Sequence, residues 1–195
     1  MEKALVAMEY GADALYLAGK TFGMRAKAGN FSMEELREVL TIAHGRGVKI
    51  YVTVNIFAHN DEIDLLPDYL ARLEELQVDG IIVADVGVFA LARRHAPSIR
   101  LHLSTQANPV NYQAARFWEE LGFSRLVMAR ELTREDIARI RQETNTELEV
   151  FVHGAMCVAY SGRCLLSNAL TGRDTNRGEC AQSCRWRYAV VEETR

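Results

Sequence analysis

This sequence predicts an α/β chain of parallel strands joined by helices, and three observations carry the prediction. Short β-branched or aliphatic runs alternate with segments whose apolar residues recur at helical spacing. The alternation repeats about six times, with run starts roughly 20 to 35 residues apart, the length a strand and its crossover helix require. A turn signature also recurs: Gly11-Ala12-Asp13, Val78-Asp79-Gly80 and Leu121-Gly122-Phe123 each lead out of a helix and into a strand. Together these predict a (β/α)8 TIM-barrel-like fold. A doubly wound open sheet is the alternative, because strand order is not written in periodicity.

The strand runs are Ala14–Ala18, 49–55, 80–84, 100–103, 125–129 and 147–152, with a helix at 2–10 ahead of the first. Met33, Leu36, Val39, Leu40 and Ala43 form one apolar stripe, and Ser32-Met33-Glu34-Glu35 places a capping box at its start. Leu66, Leu70, Leu73 and Leu76 form another, in which Pro67 is tolerable only near the first turn. Thr133 caps a helix carrying Ile137 and Ile140. No strand precedes the opening helix, and the sequence stops soon after the aromatic-rich stretch 186–191. A closed barrel needs more strands than these. The expectation is therefore an incomplete barrel lacking its first and last strands, which a partner subunit or the remainder of a parent chain would complete. Residues 1–152 read as the partial barrel. Residues 153–195 read as a cysteine- and arginine-rich segment of the same domain, with a cysteine-rich loop near the C-terminus.

Composition narrows the function. The chain has 195 residues, 49% hydrophobic and 25% charged, the balance of a globular protein rather than a disordered or fibrous one. A net charge of −3 argues against a strongly basic nucleic-acid coat but leaves local patches open. The longest apolar run, 80–92, is interrupted by Asp85 and is too short to span a bilayer, so no membrane partner is expected. The first residues carry no long apolar stretch of the secretory kind, and a cytoplasmic location is expected.

In βα architectures chemistry gathers at the carboxyl ends of the strands. There the sequence offers Asn55, Asp85, Gln106, Arg130 and His153, a polar set able to bind a small anion or a nucleobase; exposed loops are also polar for no functional reason. Glu149, Phe151 and His153 alternate along the last run and should share a face; if that face looks into the barrel, Glu149 is a buried carboxylate in need of a partner, the alternative being an edge-facing, solvated Glu, and Phe151 reads as core rather than a stacking platform.

All four cysteines fall between Cys157 and Cys184, spaced Cys157-x6-Cys164-x15-Cys180-x3-Cys184. Four thiolates suit tetrahedral zinc or a 4Fe–4S cluster. The wide first gap, with flexible Gly162 inside it, favours the larger object only modestly. A third reading makes Cys157 a nucleophile and His153 its base, which requires the four-residue spacing to be helical and leaves three cysteines unexplained. From residue 163 onward six arginines face four acids. Arg163, Arg173, Arg177, Arg185 and Arg187 could meet RNA phosphates, offset a thiolate-ligated cluster, or be an ordinary solvated loop.

The stretch from Glu149 through Cys157 and Cys164 to Ser167 resembles the signature of peptidase family U-32, the collagenase-like peptidases, and 171–195, with Cys180 and Cys184, extends the likeness. Gly11-Ala12-Asp13, Tyr16 and Phe22-Gly23-Met24-Arg25-Ala26 resemble the family's early barrel segment. The whole chain most resembles the branch acting in 5-hydroxyuridine formation at the tRNA wobble position. That resemblance implies a tRNA-modifying enzyme, with tRNA as partner and Cys157, Cys164, Cys180 and Cys184 as ligands of a 4Fe–4S cluster. It further implies prephenate, a small carboxylate, as co-substrate without any need for oxygen. A collagenase-like hydrolase and a non-catalytic zinc-stabilised binding module are the competing expectations.

Overall fold

The computed structural model describes residues 1–24, 29–154, 156–161 and 163–189. Arg25 and Ala26 of the early motif and Gly162 between the first two cysteines lie outside the described residues. Eight helices and six strands run in the order α1 (Glu2–Glu9), β1 (Ala14–Ala18), α2 (Met33–Gly45), β2 (Lys49–Val54), α3 (Asn60–Ile63), α4 (Leu66–Glu75), β3 (Gly80–Val83), α5 (Val86–His95), β4 (Leu101–Leu103), α6 (Tyr112–Glu120), β5 (Arg125–Val127), α7 (Arg134–Glu143), β6 (Glu147–Glu149) and α8 (Leu166–Thr171) among the described residues. The predicted caps are present: Ser32 and Glu35 close a capping box on α2, and Thr133 and Asp136 close another on α7. Pro67 sits in the first turn of α4, where a missing N–H is harmless.

All five strand pairings are parallel and follow chain order, β1 to β6, with no reversal. A doubly wound sheet reverses its order at a switch point, so the open-sheet alternative is excluded. The sheet also curls. Laid flat, β1 and β6 would stand about 24 Å apart at the usual strand spacing. Instead the Tyr16 hydroxyl on β1 donates to the Glu149 carboxylate on β6, and Arg125 on β5 reaches both at 3.3 Å. This is a curled half-barrel of the TIM-barrel kind.

Strand register divides the side chains between two faces. Leu15, Ile50, Val52, Val54, Ile81, Val83, Leu101, Leu103, Leu126 and Met128 point outward into one core with Leu36, Val39, Leu40, Leu66, Leu70, Leu73 and Ile140 of the helices. The inward face carries Tyr16, Tyr51, His102, Arg125, Glu147 and Glu149, more polar than the branched aliphatics that fill most barrels. His102 is fully buried, 4.6 Å from the Tyr51 ring. Gly80 makes its room, since a Cβ there would stand 3.1 Å from the imidazole Nε2. Burial, then the nearby Arg125 cation, pushes the His102 pKa down to about 3, so the ring is neutral.

One predicted element is shorter than expected. The run 147–152 forms a strand only to Glu149. β6 pairs only with β5, which ends at Val127 opposite Glu149, so Val150 to Val152 have no neighbouring strand to bond. Phe151 is accordingly 48% exposed rather than core, and His153 is exposed and shares no strand face with Glu149. Among the described residues no helix is long and apolar enough to cross a membrane.

Candidate functional site

The carboxyl ends of β2 to β5 form a polar floor, and the cysteine-bearing segment folds back over it. Asn55, just past β2, donates from Nδ2 to Gln106 Oε1 at 2.8 Å and accepts the Met24 N–H at 3.3 Å. Ser104, at the end of β4, donates to the same Gln106 oxygen at 3.3 Å. Two of the predicted residues thus meet as a half-buried amide pair.

Ser161 is the main fastening of the cover. It is 2% exposed. Its hydroxyl oxygen accepts from Arg130 Nε at 3.1 Å and from a terminal guanidinium nitrogen at 2.9 Å. Its backbone N–H donates to Glu131 at 3.2 Å, and its carbonyl accepts from Asn108 Nδ2 at 2.8 Å. Arg130 also donates to the carbonyls of Cys157 and Ala159, both at 3.2 Å. Asn108 is held in the left-handed region (φ 52°), which asparagine tolerates better than most residues. A second fastening lies further along. The Asn176 carbonyl accepts the Phe57 N–H at 3.3 Å, and Arg177 reaches Glu62 at 2.9 Å and Asp61 at 4.0 Å.

The remaining predicted residues separate by role. Asp85 caps α5 by accepting the Val88 N–H at 3.0 Å, a structural duty its place before the helix explains. Glu149 faces the barrel interior, where Arg125 and Tyr16 are its partners, and is not on the strand-end floor. Burial, then the Glu149 hydrogen bond, raises the Tyr16 phenol pKa above its usual range. Arg130 is committed to the cover. His153 stands apart on exposed, non-helical backbone, and Cys157 is exposed as well, so their four-residue spacing does not align a nucleophile with a base. Arg177 is bound to carboxylates and is not a free cation for phosphate. Arg163, Arg185 and Arg187 are exposed, and Arg173 is half-buried. Ser161 and Asn108 escape sequence reasoning; the left-handed Asn108 is the nearest thing to a signal, and it needs backbone angles to be seen.

The four cysteines form no disulfide, with Cys157, Cys180 and Cys184 exposed and Cys164 half-buried. Cys180 Sγ accepts the Gln182 N–H at 3.3 Å and lies 3.9 Å from Ser167 Oγ. Among the described residues no three His, Cys, Asp or Glu side chains gather as a metal-holding group. The donor set is nevertheless of the right kind, four unpaired thiols on loops and short helical turns.

The family model for peptidase family U32 matches residues 1–195. The chain belongs to that family. Among U32 relatives it is 50% identical over 192 residues to tRNA hydroxylation protein P1 of Bacillus subtilis (strain 168), covering 98% of this chain and 46% of that protein. It is 42% identical over 187 residues to the 23S rRNA 5-hydroxycytidine C2501 synthase of Escherichia coli (strain K12), covering 96% of this chain and 28% of that enzyme. This U32 chain therefore spans less than half the length of these two curated relatives. A solved U32 peptidase superposes with a TM-score of 0.60 at 19% identity, over 72% of this chain and 60% of the other, a likeness of fold.

Proposed function

We propose that the protein carrying this chain is an RNA-hydroxylating enzyme that acts on tRNA and forms 5-hydroxyuridine at the wobble position. The observation that carries the reading is the 50% identity with a tRNA hydroxylation protein along 98% of the chain. The rRNA relative supports the broader chemistry, since its name specifies hydroxylation at position 5 of another pyrimidine. The tRNA substrate implies a cytoplasmic protein.

In this reading Cys157, Cys164, Cys180 and Cys184 hold a 4Fe–4S cluster, with zinc as the alternative occupant. A bound cluster would supply one-electron chemistry close to the RNA. A small carboxylate, prephenate in the family reading, is the proposed co-substrate and source of the hydroxyl. The chain's own residues bind and position. Arg130, Asn108 and Glu131 hold Cys157, Ala159 and Ser161 over the floor. The Asn55 and Gln106 amides, released from each other, offer one donor and one acceptor, the pattern that reads a uracil O4 and N3–H.

Nucleoside analysis of tRNA and rRNA tests this in cells lacking the gene and in cells resupplied with the full-length protein or its Cys157→Ala variant. The 5-hydroxyuridine nucleoside should vanish from tRNA on deletion and return only with the unaltered protein. Unchanged tRNA nucleosides after deletion would overturn the reading, and a loss confined to rRNA would move the substrate.

A further inference from the structure

Beyond Cys184 the chain alternates cation and ring: Arg185, Trp186, Arg187, Tyr188. The structure gives this run a firm mounting. Ser183–Arg185 is a single 3-10 turn, after which the Trp186 backbone is extended. The Ser183 carbonyl accepts the Trp186 N–H at 3.1 Å and the Tyr188 hydroxyl at 2.7 Å. Ser183 itself is buried, its hydroxyl 3.5 Å from that of Ser167 on α8. Tyr188 therefore turns its polar atom inward while the residue stays 62% exposed, with Trp186 48% exposed beside it in the chain.

Several aromatic rings of the barrel body find partners, as in the pairs Phe22–Tyr69, Phe89–Phe123 and Trp118–Phe123. Trp186 and Tyr188 touch no ring among the described residues. Arg185 and Arg187 are exposed and in no ion pair among the described residues, whereas Arg125 and Arg177 are each held by carboxylates. Open rings interleaved with guanidinium groups that no described carboxylate pairs suit one kind of ligand. Unpaired bases offer π-faces that duplex bases keep stacked, and the strand that carries them offers phosphates. A protein partner would cover the rings but leave two cations unmatched unless it were acidic as well.

We propose that Trp186 and Tyr188 form a stacking platform for unpaired bases of an RNA strand, with Arg185 and Arg187 on its phosphates. The site rests on the RNA reading above and narrows it to a single-stranded segment bound next to Cys184.

The test is equilibrium binding of the full-length protein to three labelled probes: a single-stranded oligoribonucleotide, its duplex, and an abasic strand with the same phosphates. Trp186→Ala should weaken the single strand about ten-fold or more and leave the abasic strand unchanged. Trp186→Phe should recover most of the affinity. Replacing Arg185 and Arg187 together with Ala should weaken the single strand and the abasic strand alike. Unchanged single-strand affinity in a Trp186→Ala, Tyr188→Ala double variant would overturn the platform, as would a Trp186 shielded from a soluble quencher in the free full-length protein. Nucleoside analysis separates the two claims. Normal tRNA hydroxylation by a double variant of unchanged RNA affinity removes the platform and keeps the function. Lost single-strand affinity in a protein whose deletion alters no nucleoside keeps the platform and removes the function.

Discussion

The barrel body and the segment that follows β6 are built on opposite principles. The body buries Leu36, Leu66, Leu70 and Leu73 completely between sheet and helices, and four of its helices start at a local side-chain cap, Ser32, Asp85, Asn111 or Thr133. The segment leaves Val158, Leu165 and Tyr188 largely exposed and is fastened by hydrogen bonds at Ser161 and Asn176 and by the Arg177 ion pairs. The body holds its shape by burial, which is non-directional and large in sum. The segment depends on a few directional contacts. That difference suits a scaffold carrying a reactive cover.

The same substitution in both regions should expose the contrast most strongly. Leu70→Ala, at a fully buried position, should cost about 3 to 5 kcal/mol in denaturant unfolding. Leu165→Ala, at 66% exposure, should change stability by about 0.5 kcal/mol or less. Equal effects would mean that the segment is packed as tightly as the body.

The interior of the body should also dominate the acid response. His102 has its pKa pushed down from 6.5 to about 3 in the folded state. Its neutral ring therefore contributes fully above pH 6.5, and the contribution is lost as pH falls from there through 3. The loss should reach several kcal/mol, about 5 at most, as unfolding free energy against pH. A His102→Gln variant should lack that part of the slope, and an unaltered slope would assign acid sensitivity elsewhere.

Ser161→Ala should act locally. Global stability should fall by about 1 kcal/mol, the size of an ordinary lost hydrogen bond. Alkylation of Cys157 should speed up several-fold as the loop loses the acceptor for Arg130. A Cys157 rate equal to that of the unaltered protein would show that the fastening does not position the thiol. The smallest effect belongs to the exposed cations. Arg185→Ala and Arg187→Ala should each lower the salt dependence of RNA binding by about one unit of log–log slope.

Legibility in the sequence follows the same division. Helical stripes, capping boxes and the order of βα units depend on near neighbours, so Ser32, Pro67 and Thr133 have the roles their spacing predicts. The end of β6 at Glu149 was hidden, because it depends on where β5 stops. Asp85 shows how one residue supports two readings: a strand-end acid by position, a helix cap by its hydrogen bond. The Ser161 fastening joins residues about 30 to 50 positions apart through directional bonds, and no local pattern announces such pairs. The polar interior escaped notice because Arg125 and Glu147 open their strands, where charge reads as a boundary. The cysteine spacing singles out four thiols as proposed ligands, and they lie in a segment that does not organise them by burial.

The most direct measurement is iron, acid-labile sulfide and zinc per chain in the full-length protein purified without oxygen, alongside Cys157→Ala. This account predicts about four iron and four sulfide per chain, lost in the variant. One zinc without sulfide, or iron and sulfide undiminished in Cys157→Ala, would contradict it.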